Sequence, residues 1–279
     1  MALSTVDRIR LDKAAVDEGF GVRRPDDGEW MAFDGLGMPA SLRLFHRDGI
    51  YFVAVNHAGV ADELEKRWQA LPPRTEPIPP LGFHHFAVQD TAPLQELIRE
   101  AYQLARALPP EPLRAFEAQT AALPRGTEAE RWVVQRVGQD LFRAALDIYW
   151  EGRCAVTGVG DRRLLRASHM KPWARCETDA ERLDSFNGLL LTAHLDAAFD
   201  AGLISFADSG EILLAEEFVQ ADREAAGIHA GMRLTRLAPR HLPYLAWHRV
   251  VLFANGQGKG SGQEWLRAVK ASSGHTCSF

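Results

Sequence analysis

The run "TEAERWVVQRVGQDLFRAALDIYWEG", residues 127 to 152, constrains this chain more than any other stretch. Thr127 and Glu130 stand at capping-box spacing, where each side chain can satisfy a free backbone N–H at a helix start. Val133, Val134, Val137, Leu141, Ala145 and Ile148 then recur with a helical period and form one apolar stripe. Gly152 ends the pattern. The spacing predicts a helix to about Trp150, roughly six turns long. Such a stripe must be covered by neighbouring segments of the fold. Downstream lie "CAVTG", a strand-like "RLLRASHM", a loop to "DSFNG", then "LLLTAHLDAAFDAG". After these come "LISFADSGEILL", read as a hairpin around "DSG", a strand-like "MRLTRL" and a helical "LPYLAWHRVVLF". The last stretch is rich in Gly and Ser and reads as a tail.

The front of the chain has a different pattern. Residues 4 to 18 read as a helix, with Ser4 and Asp7 at its start and Gly19 at its stop. Three strand-like runs come next, "EWMAF", "SLRLFH" and "IYFVAV", each bounded by turn residues. A helix is expected at about 60 to 71, closed by the Pro-rich "PPRTEPIPPLG". Another is expected over 93 to 107, with Pro93 in its first turn and Leu94, Leu97, Ile98, Ala101, Leu104 and Ala105 on one face. Prolines bracket "LPPEPLRAFEAQTAALPRG", which makes that segment the expected boundary.

Bulk properties exclude several classes. The 279 residues are 46% hydrophobic and 25% charged, enough for one large or two small folded units. A formal net charge of −5 excludes a basic chain that coats nucleic acid, so any such contact must be local. One local patch exists. Between residues 151 and 175, Arg153, Arg162, Arg163, Arg166, Lys171 and Arg175 face only Glu151 and Asp161. This asymmetry reads either as a solvated loop or as a set of phosphate contacts. The odd cysteine number (Cys154, Cys176 and Cys277) gives no disulfide framework and points to a reducing cytoplasm. No apolar run is long enough to span a membrane, and no membrane partner is expected. Charged residues near the start argue against a secretory leader.

Taken together and in order, "CAVTG…LLRASHMKPW…NGLLLTAHLDAAFDAGLISF", with its long lead-in helix, resembles the HNH endonuclease family. The resemblance covers roughly residues 126 to 254. With the helix and strand pattern of the front half, the chain reads as α+β, with a small N-terminal α+β domain over 1–107. A linker over 108–126, a C-terminal ββα-metal nuclease domain over 127–254 and a tail over 255–279 would complete it. The resemblance further implies one bound divalent cation, with Mg²⁺ or Mn²⁺ expected first and Ni²⁺ or Zn²⁺ as alternatives. The expected substrate is double-stranded DNA, and a homodimer is a further expectation.

The motif maps onto His169, Asn187 and Asp196. His169 takes the place of the general base, and imidazole titrates near neutrality as that role needs. Read alone, it is equally a strand-end histidine with a polar partner. Asn187 takes the place of the brace; "NG" is also a common turn dipeptide. The final ligand position, nine residues past the asparagine, holds Asp196 where the family has histidine. A carboxylate suits Mg²⁺ or Mn²⁺. His194 is a second candidate ligand, or else a helix cap or DNA contact. Asp200, one turn beyond Asp196, is read first as a cap of the next turn. Ser168 stands where many relatives place an acidic ligand. Cys154 with Thr157 lacks a zinc-binding pair and reads as a small buried side chain. Trp173 reads as a packing anchor or a stacking surface. His84 and His85, adjacent on a strand, point to opposite faces and do not chelate together. The N-terminal domain is open between recognition of modified DNA and dimerisation. Two rivals stand beside a defence nuclease: a fold that binds without cutting, and a nuclease for RNA or single strands.

Overall fold

Ser4 caps the first helix with its own hydroxyl, which accepts from the Asp7 amide, and α1 runs Thr5–Asp17. Gly19, at φ 99°, turns the chain out of it in the left-handed conformation glycine favours. The structure is a computed structural model that describes residues 3–36, 40–72, 75, 77–124 and 126–253. The expected C-terminal tail therefore lies outside the described residues, as does Cys277. The chain divides into two compact units between Ala115 and Phe116.

The first unit is an antiparallel sheet with helices. After α1 come β1 (Val22–Asp27), β2 (Trp30–Asp34), β3 (Ser41–Arg47), β4 (Ile50–Val55), α2 (Ala58–Leu64), β5 (Ala70–Leu71), β6 (His84–Val88) and α3 (Thr91–Ala107). The sheet order is β1-β2-β3-β4-β6-β5. All six apolar residues expected on the α3 face are buried. Strand β1, "VRRPDD", has no strand-like signature in sequence, because it is charged and contains Pro25. It is an edge strand, and its register shifts between Arg24 and Asp27, so the missing proline N–H interrupts no central ladder. The helix expected to reach residue 71 stops at Leu64. Ala70 and Leu71 are instead drawn into the sheet opposite Phe86 and His85.

The second unit holds the constellation. Helix α4 (Glu111–Thr120) occupies the segment read as a linker, and the division between units falls inside it. Next come α5 (Glu128–Tyr149), β7 (Leu165–His169), α6 (Asp179–Arg182), β8 (Gly188–Thr192) and α7 (Ala193–Asp200). The remaining elements are β9 (Ile204–Phe206), β10 (Ile212–Leu214), α8 (Gln220–Ala225) and α9 (Leu242–His248), which runs into a wider π turn over Arg249–Phe253. The capping box on α5 is complete: Thr127 accepts from the Glu130 amide and Glu130 from the Thr127 amide. Its buried stripe is Val134, Gly138, Phe142, Ala145, Leu146 and Tyr149. The face is thus rotated from the expected one, and Val133 is exposed. Two aromatic rings and a glycine, which an aliphatic count passes over, set the orientation. β9 and β10 form the hairpin expected around "DSG". "MRLTRL" contributes only an isolated bridge, Arg233 to Glu211, and is not a strand.

Candidate active site

β7 and β8 pair antiparallel, with His169 opposite Gly188. Glycine is required at 188. A Cβ there would stand 2.5 Å from the Phe142 ring and 2.7 Å from Leu146, so any side chain would lift the hairpin off α5. With the bare backbone, the Trp150 indole N–H reaches the Gly188 carbonyl at 3.2 Å. Phe142 stacks on the His169 imidazole, with centroids 3.7 Å apart and planes 11° from parallel. Trp173 meets the same ring edge-on at 5.9 Å. Trp173 in turn rests on Gly138, where a Cβ would be 2.4 Å from the indole.

The imidazole has one defined partner. Its Nε2 lies 2.9 Å from the carbonyl of Arg182. A carbonyl only accepts, so Nε2 carries the proton and Nδ1 keeps its lone pair. Burial pushes the His169 pKa down to about 4, against the opposing pull of the Arg182 carbonyl. The ring is therefore neutral at physiological pH and able to take a proton.

Asn187 is fully buried and does not touch the ring. Its Oδ1 accepts from the Lys171 amide at 2.8 Å, and its Nδ2 donates to the carbonyls of Lys171 and Glu181, both at 3.1 Å. It therefore closes the loop from 171 to 181, and the next carbonyl along, at Arg182, is the one that holds His169. The asparagine positions the imidazole through one residue of backbone.

Opposite the histidine, α7 supplies carboxylates. His169, Ser168, Asp196 and Asp200 line one cleft of about 430 Å³, together with Arg166 and, from α5, Arg136, Gln139, Asp140 and Arg143. Burial raises the Asp196 pKa, while Ser168 and Arg166 lower it in part. Burial, then the charge of Asp196, pushes Asp200 up to about 6. Asp200, read from the sequence first as a turn cap, is thus a cleft residue that shares the field of Asp196. Ser168 is buried, with its Oγ beside Asp196 but without a hydrogen bond of good geometry. His194 is exposed on the first turn of α7 and is not among the cleft-lining residues.

Among the described residues, no group of three His, Cys, Asp or Glu side chains is gathered as for a metal ion. The donors present still fit one kind of ion. Mg²⁺ and its relatives keep several waters and are held by one or two carboxylates. Asp196 is pushed towards protonation by burial, and Asp200 by burial and by the charge of Asp196, beside the buried Ser168 hydroxyl. A hard cation relieves each of these. Zinc fits less well: Cys154 is buried and accepts from the Thr157 amide at 3.4 Å.

The six cations have different surroundings. Arg162 is exposed and pairs with Asp147, and Arg163 is exposed and pairs with its neighbour Asp161 at 2.6 Å. Arg153 is exposed and donates to the Gly158 carbonyl, and Arg175 is exposed. Arg166 is exposed and lines the cleft. Lys171 differs from the expectation. Its side chain is only 11% exposed and holds both oxygens of Glu181, at 2.8 and 2.9 Å. It is an internal clamp of the loop that Asn187 closes. Sequence reasoning missed Phe142, Gly138, Arg136 and the Arg182 carbonyl. Phe142 and Gly138 lie four residues apart on α5, a signal available in hindsight; a backbone carbonyl leaves none.

The hairpin's first strand thus ends on His169, and the helix that follows its second strand carries Asp196 and Asp200 into the same cleft. Residues 154–207 match the family model described as HNH endonuclease. No curated protein matches the chain significantly.

Proposed function

We propose that the second unit is a metal-dependent DNA endonuclease that hydrolyses phosphodiester bonds. One observation carries the reading: a neutral imidazole, locked through Nε2 with Nδ1 unprotonated, shares a cleft with two mutually repelling carboxylates. Hydrolysis needs a base for the attacking water, and His169 takes that proton at Nδ1. Asn187 and Lys171 hold the loop that holds the ring. Asp196 and Asp200 hold the divalent ion, which when bound stabilises charge on the phosphate and on the departing oxygen. Arg166 and Arg136 flank the cleft and take strand phosphates. Double-stranded DNA as substrate, a restriction or defence role in the cytoplasm, a homodimer, and domain boundaries near 107 and 127 belong to the same proposal. Among the described residues, no helix is long and apolar enough to cross a membrane.

One observation favours a second reading. With Ser168 in an acidic position and, among the described residues, no third ligand gathered, the fold could hold DNA without cutting it. Plasmid nicking with Mg²⁺, Mn²⁺, Ni²⁺, Zn²⁺ or EDTA separates the two, with His169→Ala as control. Metal-dependent nicking lost in the variant supports the nuclease; intact binding with no nicking under any metal supports the second reading.

A further inference from the structure

A second concavity lies beside the cleft and has no part in the chemistry above. It encloses about 300 Å³, within the range of small-ligand sites. Phe116, Val134 and Trp173 form an apolar floor, and Gln135, Asp179 and Arg182 are polar groups around it. Trp173 lines both this depression and the cleft, so the two are neighbours across one indole. The polar groups are held in place. Arg182 donates to Asp179 at 2.8 Å and to the carbonyls of Trp173 and Cys176. Its guanidinium lies over the Trp173 ring at 5.8 Å. Phe116 and Trp173 converge on the same bare glycine, Gly138, at 3.3 and 2.4 Å from where a Cβ would stand.

We infer that this depression receives one nucleobase, unstacked from the strand next to the phosphate that His169 addresses. The inference rests on the nucleic-acid reading of the adjoining cleft. Three features select this occupant. An apolar floor with an aromatic wall suits a base face, which every nucleobase offers. Donors and acceptors on the rim (the Gln135 amide and the Asp179 carboxylate) suit the edge of a base, as in other sites that take a base out of its stack. The His169 and Trp173 ring centres are 5.9 Å apart. Successive nucleotides rise about 3.4 Å along a stacked strand and span more when unstacked. A strand with one phosphate at His169 therefore carries an adjacent base to the Trp173 wall. Unstacking costs a few kcal/mol and is cheapest at a mismatched or damaged base. The depression thus makes the enzyme sensitive to how easily its substrate opens.

The test is photocrosslinking of full-length His169→Ala protein to duplexes of mixed sequence carrying scattered 5-iodouracil, a base analogue that couples to the aromatic ring on which it stacks. The expected result is coupling in the peptide that contains Trp173, with yield rising at least about threefold when the analogue is mismatched. Two further variants fill the depression: Val134→Phe from its floor and Ala174→Leu from its exposed rim, the second chosen because it leaves the core untouched. Each is expected to lower Trp173 coupling about fivefold or more while duplex binding remains detectable. Coupling that ignores both fillers, coupling confined to other residues, or no DNA bound at all overturns the inference. Nicking by the wild type is scored separately. If the fillers act as expected and the wild type never nicks, the base site stands and the nuclease reading fails.

Discussion

The chemistry turns on few side chains, and each has a separable failure. His169→Ala is expected to lower nicking by about 10²–10⁴-fold while leaving folding and DNA affinity nearly intact, since loss of a general base has that scale. Nicking at the wild-type rate by a clean preparation would place the base elsewhere. Asp196→Ala and Asp200→Ala should each raise the metal concentration needed for half-maximal nicking, and Asp196→His should largely restore it. A metal titration indifferent to both alanines refutes the two-carboxylate site. Asn187→Ala is a different kind of loss. It takes the partner from the Lys171 amide and the Glu181 carbonyl in a buried loop, at roughly 1–3 kcal/mol for each group that water cannot reach, and leaves the Lys171 carbonyl only the Cys176 thiol. It should therefore lower the denaturant midpoint as well as the rate, and by more than His169→Ala, which loses one stack and one hydrogen bond. Much of this site was legible in sequence. His169, Asn187 and Asp196 come from order and spacing, and all three lie in one hairpin-helix. His194 was a candidate because two residues separate it from Asp196, but two residues turn a helix by more than half a circle. Asp200, a full turn on, shares the face. Lys171 counted as a surface cation because its charge was visible and its partner Glu181 was not.

At the scale of elements, packing against α5 decides the geometry. Gly138 lets the indole of Trp173 lie against the helix, and Trp173 with Phe142 brackets the imidazole. Gly138→Ala improves helix propensity yet should cut nicking about tenfold or more, with metal requirement and secondary structure unchanged. A variant as active as wild type would show that the indole can move without consequence. A second element-level consequence concerns acid. His248 is buried between β9 and α7, its Nδ1 3.0 Å from the Ser205 hydroxyl and its Nε2 3.0 Å from the Phe199 carbonyl. It also stacks on the Phe199 ring at 3.6 Å. Burial lowers its pKa to about 4. A free histidine titrates near 6.5, so between pH 6.5 and 4 the unfolded chain binds the proton more readily and stability falls as pH falls. His169 acts in the same direction. Asp200, raised to about 6, opposes them between that value and its ordinary one. The comparison must therefore be of slopes: His248→Asn should show a shallower loss of melting temperature from about pH 6.5 to about 4 than wild type. Equal slopes would mean that His248 does not stay neutral. Helix ends were legible because caps are local chemistry. The face of α5 was not, since it depended on which residues 165–188 would come to cover it.

For the whole molecule, a net charge of −5 means that the proposed DNA substrate must be drawn by a local field. Arg136 and Arg166 are exposed at the cleft, and removing one cation that meets a phosphate should flatten the slope of log affinity against log salt by about 0.9. Arg136→Ala and Arg166→Ala should do so for unrelated duplexes alike. Lys171→Ala should leave the slope unchanged, because its charge is already engaged by Glu181 inside the fold. Measurement in the His169→Ala background keeps the substrate whole. If the two arginine variants keep the wild-type slope, the strand runs elsewhere. The exposed Arg162, paired with the largely buried Asp147, and Arg163, paired with the surface carboxylate Asp161, would then be the next to test.

Every residue lining the cleft falls between Arg136 and Asp200. Among the described residues, the lining of the proposed site is thus written in one passage of the chain. An enzyme organised in this way can change what it is addressed to without rewriting how it cuts. If the proposed function holds, the front of the gene is free to drift or be exchanged while the site stays the same. Selection for a new target and selection for catalytic competence then act on different stretches of sequence, and neither has to wait for the other.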